Sequence, residues 1–303
     1  SVPLAAGTIA ASGTLGQIIP PSIILILLGD VMGVPVGRLF MGAVIPGFML
    51  VSLFIVYILI YAWCKPAAAP ALKTISNELS ILNILTILLP PLILILAVLG
   101  SIFFGIASPT ESAAVGAIGA LVLAALHKRL SLKNLVDSMQ QTTKLTCMVF
   151  MILIGATAFG LVFRGIGGDS LVLDVMSNLP GGIWGFLLIS MFLIFVLGFF
   201  LDFLQVCFIV IPILVPIANQ LNIDMLWFAI LIALNLQTSF LTPPFGFSLF
   251  YLKAVAPSEV RIQDIYIGII PFVLLQVATI IIIILIPDLV TWLPDLMDNI
   301  HGI

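Results

Sequence analysis

Two stretches of the chain place hydroxyl side chains, glycines and paired prolines inside long apolar runs. In the first, Ser12, Thr14 and Ser22 surround Pro20 and Pro21. A proline inside a helix removes a backbone donor, and the neighbouring glycines permit unwinding, so backbone carbonyls are freed there. Hard cations prefer carbonyl and hydroxyl oxygens, and the stretch therefore predicts a sodium site. The alternative is a proline kink whose hydroxyls bond to their own backbone.

The second stretch runs from Asn235 to Gly246 and has the same features. Thr238, Ser239 and Thr242 lead into Pro243 and the proline that follows it. The same chemistry applies, with the same alternative of a simple kink. Two matching interruptions favour a shared function, because independent kinks need not recur at equivalent places.

A single acidic residue, Asp202, lies between the apolar runs 183–200 and 203–218. An ionisable side chain at membrane depth is a functional hypothesis by default, and this one could bind a cation or relay a proton. Alternatively, Asp202 caps the helix that follows, because Asp is favoured at that position. Capping and ion binding can coexist.

The motif Ser108-Pro109-Thr110-Glu111 is typical of a helix start. Ser108 suits the N-cap, Pro109 suits the first turn, and Glu111 completes a capping box. The sequence contains no phosphate-binding loop and no catalytic pair, and Asp202 has no acidic partner within the apolar runs. These observations argue against an ATPase and against an intramembrane enzyme.

The composition indicates that a membrane surrounds the elements that position these residues. Of the 303 residues, 62% are hydrophobic and only 8% are charged, whereas a soluble domain carries roughly 25% charged residues. The mean hydropathy is +1.36. So few charges cannot cover a soluble surface, and most of this surface is expected to face lipid.

Apolar runs follow one another along the chain, most of them near the ~20 residues of a membrane-spanning helix. They cover 4–29, 38–63, 81–104, 112–126, 146–163, 183–200, 203–218, 225–250 and 265–287. Spans of this length in lipid are helical, so the predicted fold class is an all-α, polytopic membrane protein. Only Leu201 and Asp202 separate two of the runs, which is too short a connection to reach water and return. Residues 183–218 are therefore predicted to form a re-entrant helical hairpin.

The positive-inside rule places the most basic loop in the cytoplasm. Its pattern predicts an amphipathic helix on the membrane surface over residues 127–144. Counting outward from this loop assigns the other charged loops and the C-terminal tail. Cytoplasmic positions are predicted for Lys65, Lys73, Lys253 and Arg261, and positions on the outer side for Asp288, Asp295 and Asp298.

The two interrupted stretches form a weak internal repeat. The segment from Thr14 to Pro21 resembles that from Thr238 to Pro244, and a span with an early proline, Pro46 or Pro271, follows each copy. The predicted topology gives the two copies opposite orientations, as in inverted-repeat transporters.

These patterns divide a single, partial transmembrane domain, residues 1–303, into three parts. The predicted parts are the end of a first repeat (1–63), connecting helices (64–182), and a second repeat (183–287) with the hairpin 183–218 and a broken helix 225–250.

Four motifs, in this order and spacing, resemble the large membrane subunit of tripartite ATP-independent periplasmic (TRAP) transporters. They are Thr14 to Ser22, Ser108 to Glu111, Gly198 to Asp202 with Pro212 and Pro216 after it, and Thr242 to Pro244. The resemblance covers essentially the whole chain. Each motif alone is common, but the ordered set is specific.

The resemblance implies an elevator-type fold of the ion transporter superfamily, with two re-entrant hairpins that each face a broken helix. It implies a multi-pass protein of the bacterial inner membrane, with Na⁺ as the coupling ion and no other cofactor. The implied partners are a small membrane subunit of about four helices and a periplasmic substrate-binding protein, with no nucleic acid. The implied substrates are small organic acids such as dicarboxylates, sialic acid, other sugar acids and keto acids.

The resemblance also carries roles onto individual positions of this sequence. The implied cation-binding residues are Ser12, Thr14, Gly16, Gly198, Asp202, Thr238, Ser239, Leu241 and Thr242. The implied substrate-binding residues are Pro20, Pro21, Ser22, Asp202 and Pro243.

The chain departs from the family pattern at its beginning. Family members have a first hairpin upstream of the first broken span, and this chain starts just after the place where that hairpin would end. About the first third of a typical subunit is therefore expected to be absent, and these residues alone are not expected to transport. An alternative is a stand-alone dicarboxylate or anion symporter of the same superfamily, whose hairpin tips would carry Ser-Asn-Thr sequences instead of Gly-Phe-Phe-Leu-Asp.

Overall fold

The structure is a computed structural model, and it describes residues 1–70, 81–177, 180–243, 246–257 and 259–301. In chain order the α-helices of the described part are α1 (Val2–Thr14), α2 (Ile23–Met32), α3 (Val36–Cys64), α4 (Ile81–Phe103), α5 (Pro109–Leu126), α6 (Leu132–Gly165), α7 (Gly168–Ser177), α8 (Ile183–Leu197), α9 (Phe203–Gln205), α10 (Ile211–Gln220), α11 (Met225–Leu241), α12 (Phe247–Val255), α13 (Ile262–Leu285) and α14 (Asp288–His301). Lys73 and Pro244, both used in the sequence predictions, lie outside the described residues.

Six helices of the described part are long and apolar enough to cross a membrane. They are Val36–Cys64, Leu85–Phe103, Pro109–Leu126, Leu132–Gly165, Phe203–Gln220 and Ile262–Leu285. Described residues outside the helices form turns, bends and short connections. The predicted all-α, polytopic class is confirmed.

The first predicted interruption is present. Helix α1 ends at Thr14, a 3₁₀ turn covers Leu15–Gln17, and α2 begins at Ile23. The paired prolines in between cannot donate hydrogen bonds, so the first helix cannot continue through them. Ser22 then starts α2 as an N-cap, since its Oγ accepts a hydrogen bond from the Leu25 amide at 3.5 Å.

The second predicted interruption is also present. Asp224 caps the start of α11 by accepting from the Trp227 amide at 2.8 Å. The helix ends at Leu241, Thr242 is extended with φ −97° and ψ 132°, and α12 begins at Phe247. This broken helix extends to Val255 rather than to the predicted residue 250.

The predicted hairpin consists of α8, a five-residue tip at 198–202, and a second arm at Phe203–Gln220. A π-helical segment, Val206–Val210, interrupts the second arm. Pro212 follows this segment and has no amide hydrogen, so the regular bond to Phe208 cannot form and the helix widens there. The Ile211 amide accordingly reaches back to the carbonyl of Val206.

The chain divides into two compact units. Residues 1–69 and 152–303 form unit 1, and residues 70–151 form unit 2. In unit 2, α4 packs against α5, and the Oγ atoms of Ser101 and Ser112 lie 2.8 Å apart. The capping box of Ser108 and Glu111 is present as predicted.

The amphipathic segment predicted at 127–144 does not form a helix of its own, and this prediction is corrected. His127 and Lys128 form a turn, and Leu132 then begins a helix that runs without a break to Gly165. The 132–144 portion lacks prolines and glycines, so no residue there ends the helix before the apolar run. Helices α7 and α14 were not predicted from the sequence.

Unit 1 is organised around α11, in which every residue from Leu226 to Leu241 is buried. Helices α1 and α13 pack beside it at a very close crossing. A methyl group on Gly7 would lie 2.1 Å from the carbonyl oxygen of Gly268. Small residues allow such backbone contact between membrane helices, and the crossing fixes the first broken helix against α13.

Candidate functional site

The hairpin tip lies directly against the end of α11. A methyl group on Gly198 would lie 2.2 Å from the Oγ atom of Ser239. At the start of the second arm, the rings of Phe203 and Phe240 meet edge to face with centroids 6.4 Å apart. The structure therefore brings together two of the predicted cation-binding positions, Gly198 and Ser239, which the sequence places in different motifs.

The first arm of the hairpin is anchored to the same helix. Asn235 donates a hydrogen bond from Nδ2 to the Met191 carbonyl oxygen at 2.6 Å. The rings of Phe186 and Phe228 lie 5.8 Å apart further along the same pair of helices. These contacts hold α8 along α11, so that the two helices end at the same place.

Two helix C-termini thus converge at the contact between Gly198 and Ser239. The last carbonyls of a helix have no intrahelical partner and carry the negative end of the helix dipole, about half an elementary charge. Two of these carbonyls have local partners. Thr242 Oγ1 donates to the Thr238 carbonyl at 2.7 Å, and Ser248 Oγ donates to the Phe240 carbonyl at 3.0 Å. The arrangement still concentrates acceptor oxygens and negative potential, which a small cation complements.

The hydroxyl groups of this site bond to their own helix. Thr238 Oγ1 donates to the Leu234 carbonyl at 2.7 Å, and Ser239 Oγ donates to the Leu236 carbonyl at 2.8 Å. The sequence also allowed this local bonding, as the alternative to cation binding. It does not oppose cation binding, because a hydroxyl that donates its hydrogen keeps two lone pairs and is held with its oxygen in a fixed place.

Asp202 is the N-cap of the hairpin's second arm. Its Oδ1 accepts from the Phe203 amide at 2.9 Å, and Gln205 Oε1 accepts from the Asp202 amide at 3.3 Å. The capping prediction is confirmed. The carboxylate is half-buried and has a second oxygen, so the predicted ligand role stays a prediction.

The first interruption lies beside the same elements. The turn at Leu15–Gln17 contacts α11, and α2 contacts both α9 and α11. Ser22 is buried and donates from Oγ to the Gln17 carbonyl, and Thr14 is buried and donates to the Ala11 carbonyl at 2.8 Å. Of the two prolines in this break, Pro20 is buried and Pro21 is exposed.

Other predicted residues are not drawn into the contact at the tip. Ser12 and Gly16 are exposed, and a methyl group on Gly16 would meet nothing within 4 Å. The side chain of Leu241 belongs to the hydrophobic core with Ala10 and Ile269, so only its carbonyl could act as a ligand. Pro243 is half-buried just beyond it.

Buried glutamines are polar groups that the sequence analysis did not single out. Gln237 and Gln276 are 0% and 1% exposed, and among the described residues none of their amide nitrogens and oxygens has a hydrogen-bond partner. The Oε1 atom of Gln17 is likewise buried without a hydrogen-bond partner among the described residues. Uncharged amides inside apolar spans were the available signal, but composition alone did not show which of them were buried.

The helix register places the first two glutamines close to one level. Trp227 at the start of α11 donates to the Ile283 carbonyl near the end of α13, at 2.9 Å. Leu241 at the end of α11 shares a core cluster with Ile269. The helices are therefore antiparallel, and this register places Gln237 within about one helical turn of Gln276. Two buried amides without partners therefore lie near one level of unit 1, and Gln237 is two residues before Ser239 at the hairpin contact.

Comparisons with known proteins agree in family. A family model described as the tripartite ATP-independent periplasmic transporter, DctM component, matches residues 2–289. The chain is 31% identical over 295 residues to the sialic acid TRAP transporter permease protein of Haemophilus influenzae, covering 96% of this chain and 47% of that relative. It is 30% identical over 293 residues to the C4-dicarboxylate TRAP transporter large permease protein of Pseudomonas aeruginosa, covering 96% of this chain and 67% of that relative.

A third relative, the sialic acid TRAP transporter large permease protein of Vibrio cholerae, is 28% identical over 296 residues, covering 96% of this chain and 67% of that protein. The chain thus spans about half of the first relative and about two thirds of the other two. All three relatives are named as permeases, which agrees with the prediction of a transport protein and does not favour an intramembrane enzyme.

Proposed function

Since the chain belongs to the DctM component family of TRAP transporters, we propose that it works as the large permease subunit of a sodium-driven importer of small organic acids. One observation supports the sodium part above all. The C-terminal ends of α8 and α11 meet at Gly198 and Ser239, in a place lined by carbonyl and hydroxyl oxygens.

The residues at this contact fit a sodium ion chemically. Sodium is a hard cation that takes neutral oxygens, and half-helix C-termini coordinate such ions in transporters with broken helices. Ser239 and the carbonyls near Gly198 would hold the ion, with Thr238, Leu241 and Thr242 in the same helix end. Asp202, at the tip, would add a full negative charge to the binding site.

Helix N-termini provide the complementary site for a substrate carboxylate. The second arm of the hairpin begins after Asp202, and α2 begins after Ser22. Helices α2 and α9 are in contact. Their positive dipole ends suit an anion. This supports the substrate-binding assignment of Pro20, Pro21, Ser22 and Asp202, which the family resemblance implies together with Pro243.

Organic acids are proposed as substrates because the relatives are named for sialic acid and C4-dicarboxylates. The proposed partners are a small membrane subunit and a periplasmic substrate-binding protein in the bacterial inner membrane, with the C-terminus of the chain on the periplasmic side. We further propose an elevator mechanism, in which the hairpin and α11 move as one body because Asn235 and Met191 join them.

A binding measurement tests the sodium site without knowledge of the substrate. The full-length permease that contains this chain is purified, and its thermal unfolding midpoint is measured in NaCl and in KCl at equal ionic strength. A ligand that binds only the folded state raises the midpoint, so we expect stabilisation by NaCl that Ser239→Ala reduces. Equal midpoints in both salts would refute the site.

Reconstitution tests the transport function. Liposomes that contain the full-length permease with its small membrane subunit are supplied with the binding protein and radiolabelled sialic acid or succinate. We expect uptake that requires both an inward sodium gradient and the binding protein. Uptake without the binding protein would instead support the stand-alone symporter, and the observed DctM family match does not favour that alternative.

A further inference from the structure

A groove in unit 1 lies between the second half of α6, the start of α7 and the second arm of the hairpin. Its volume is about 580 Å³, within the range of roughly 300–1,000 Å³ that small-molecule sites occupy. Most of its wall is apolar. Helix α6 contributes Leu153, Ala156 and Phe163, and the hairpin arm contributes Phe208, Ile213 and Ile217.

Two opposite charges line one end of this groove, at the corner between α6 and α7. Arg164 lies in the last turn of α6, and Asp169 lies in the first turn of α7. Arg164 donates from Nε to the Gly160 carbonyl at 3.2 Å, and Asp169 accepts from the Ser170 amide at 3.0 Å. No ion pair within the described residues involves either side chain, so both charges remain available to a ligand.

The hydroxyl groups in the groove already donate their hydrogens to backbone carbonyls. Thr157 donates to the Leu153 carbonyl at 2.8 Å, and Ser170 donates to the Gly167 carbonyl at 2.7 Å. The groove therefore offers a long apolar surface and, at one end, a cation and an anion. Because Arg164 directly follows the apolar part of α6, this end is expected at the depth of the lipid headgroups.

We propose that the groove binds one phospholipid with a zwitterionic headgroup of the phosphatidylethanolamine type. An acyl chain would lie along the apolar wall, the phosphate would accept hydrogen bonds from Arg164, and the primary ammonium would pair with Asp169. Arginine suits phosphate because its planar group donates in parallel pairs.

Charge complementarity favours the zwitterionic phospholipid over an organic acid or an apolar helix as the occupant of the groove. An organic acid would meet the carboxylate of Asp169 and be repelled. An apolar helix of another chain would cover both charges without a partner, which is unfavourable. Phe208 and Ile209 belong to the π-helical segment, so a bound lipid would support the hairpin arm where its backbone is irregular.

Native mass spectrometry of the delipidated full-length permease tests this proposal. The protein is titrated with dioleoyl-phosphatidylethanolamine or with dioleoyl-phosphatidylglycerol, whose headgroup has no ammonium. We expect one tightly bound phosphatidylethanolamine per permease and weaker binding of phosphatidylglycerol. Arg164→Gln should weaken both by about tenfold, the effect of losing one charge-assisted hydrogen bond. Asp169→Asn should weaken phosphatidylethanolamine and strengthen phosphatidylglycerol, because the repulsion is gone.

Three further variants complete the test. Arg129→Gln removes an exposed charge in unit 2 and should leave lipid binding unchanged. Ala156→Phe fills the apolar wall and should abolish binding of both lipids while the protein stays monodisperse. Equal affinity for the two lipids in the unaltered protein, or an unchanged affinity in Arg164→Gln, would overturn the proposal. It would also be overturned if the variant Thr157→Cys formed a crosslink to another polypeptide and no lipid were retained.

Discussion

Gly198 and Ser239 meet so closely that a methyl group on Gly198 would lie 2.2 Å from Ser239 Oγ and 2.8 Å from Ser239 Cβ. The backbone of the hairpin tip therefore lies directly against the Ser239 side chain near the end of α11. The proposed cation site depends on this distance, because its oxygens come from both sides of the contact.

Gly198→Ala should weaken sodium coupling. The added carbon cannot fit without moving the tip or Ser239, and such overpacking costs about 1–3 kcal/mol. We expect the sodium concentration for half-maximal uptake to rise roughly ten- to a hundredfold, measured in liposomes with the complete transporter. The double variant Gly198→Ala with Ser239→Gly should relieve the overlap. Because it lacks the Ser239 hydroxyl, its sodium requirement should not return to that of the unaltered protein.

Gly155→Ala is the matched control for that change. Gly155 lies within α6, and a methyl group there would meet nothing within 4 Å. Alanine is the better helix former by about 1 kcal/mol, so uptake should be unchanged and the protein no less stable. An unaltered sodium requirement in Gly198→Ala would show that the tip contact does not shape the site.

Substitutions of Asp202 can separate capping from ion binding. Asn caps a helix about as well as Asp, so Asp202→Asn should keep the thermal unfolding midpoint but lose stabilisation by sodium. Asp202→Ala removes both functions and should also lower the midpoint, since loss of a cap costs about 1 kcal/mol. If Asp202→Asn responded to NaCl like the unaltered protein, the carboxylate would be a cap alone.

Gln276→Met should raise the thermal unfolding midpoint. The Gln276 amide is buried without a partner among the described residues, and an unsatisfied buried group costs about 1–3 kcal/mol. Methionine has a similar shape and removes that cost. Gln17→Met is a less buried comparison, and its effect should be smaller. A lower midpoint in Gln276→Met would mean that the amide has a partner, such as an ordered water, in the assembled protein.

Arg38 joins the last helix to α3. Its Nη2 atom lies 2.9 Å from Asp295 Oδ1, and its Nε atom lies 3.3 Å from Asp298 Oδ2. Exposed ion pairs contribute only about 0–1 kcal/mol each, so Arg38→Gln should leave global stability nearly unchanged but speed amide hydrogen exchange in α14. High salt should have the same effect on the unaltered protein.

Arg261→Gln is the control for Arg38→Gln, because Arg261 pairs with Asp264 within the same helix start, at 3.6 Å. It should leave exchange in α14 unaltered. Equal protection of α14 in Arg38→Gln and in the unaltered protein would show that apolar contacts, such as that of Val290 with Gly42, suffice to hold the helix.

The sequence by itself determined where helices must stop. Paired prolines after Thr14 and after Thr242, and the cap residues Ser108 and Asp202, act through the covalent geometry of a few neighbouring residues. Such effects do not depend on the rest of the fold. The low charge content likewise determined that the protein lies in a membrane. Composition counts all residues, so it limits the charge of the whole surface whatever the fold.

The tertiary structure alone decided which of these local features meet. Hydropathy does not distinguish a helix face that contacts lipid from one that contacts protein, since both environments are apolar. The sequence therefore could not show that α11 is buried on all sides, that Gly198 meets Ser239, or that Gln237 and Gln276 share a level. It also could not show that α6 continues through residues 132–144, because a polar helix on the membrane surface and the polar start of a long span have similar compositions.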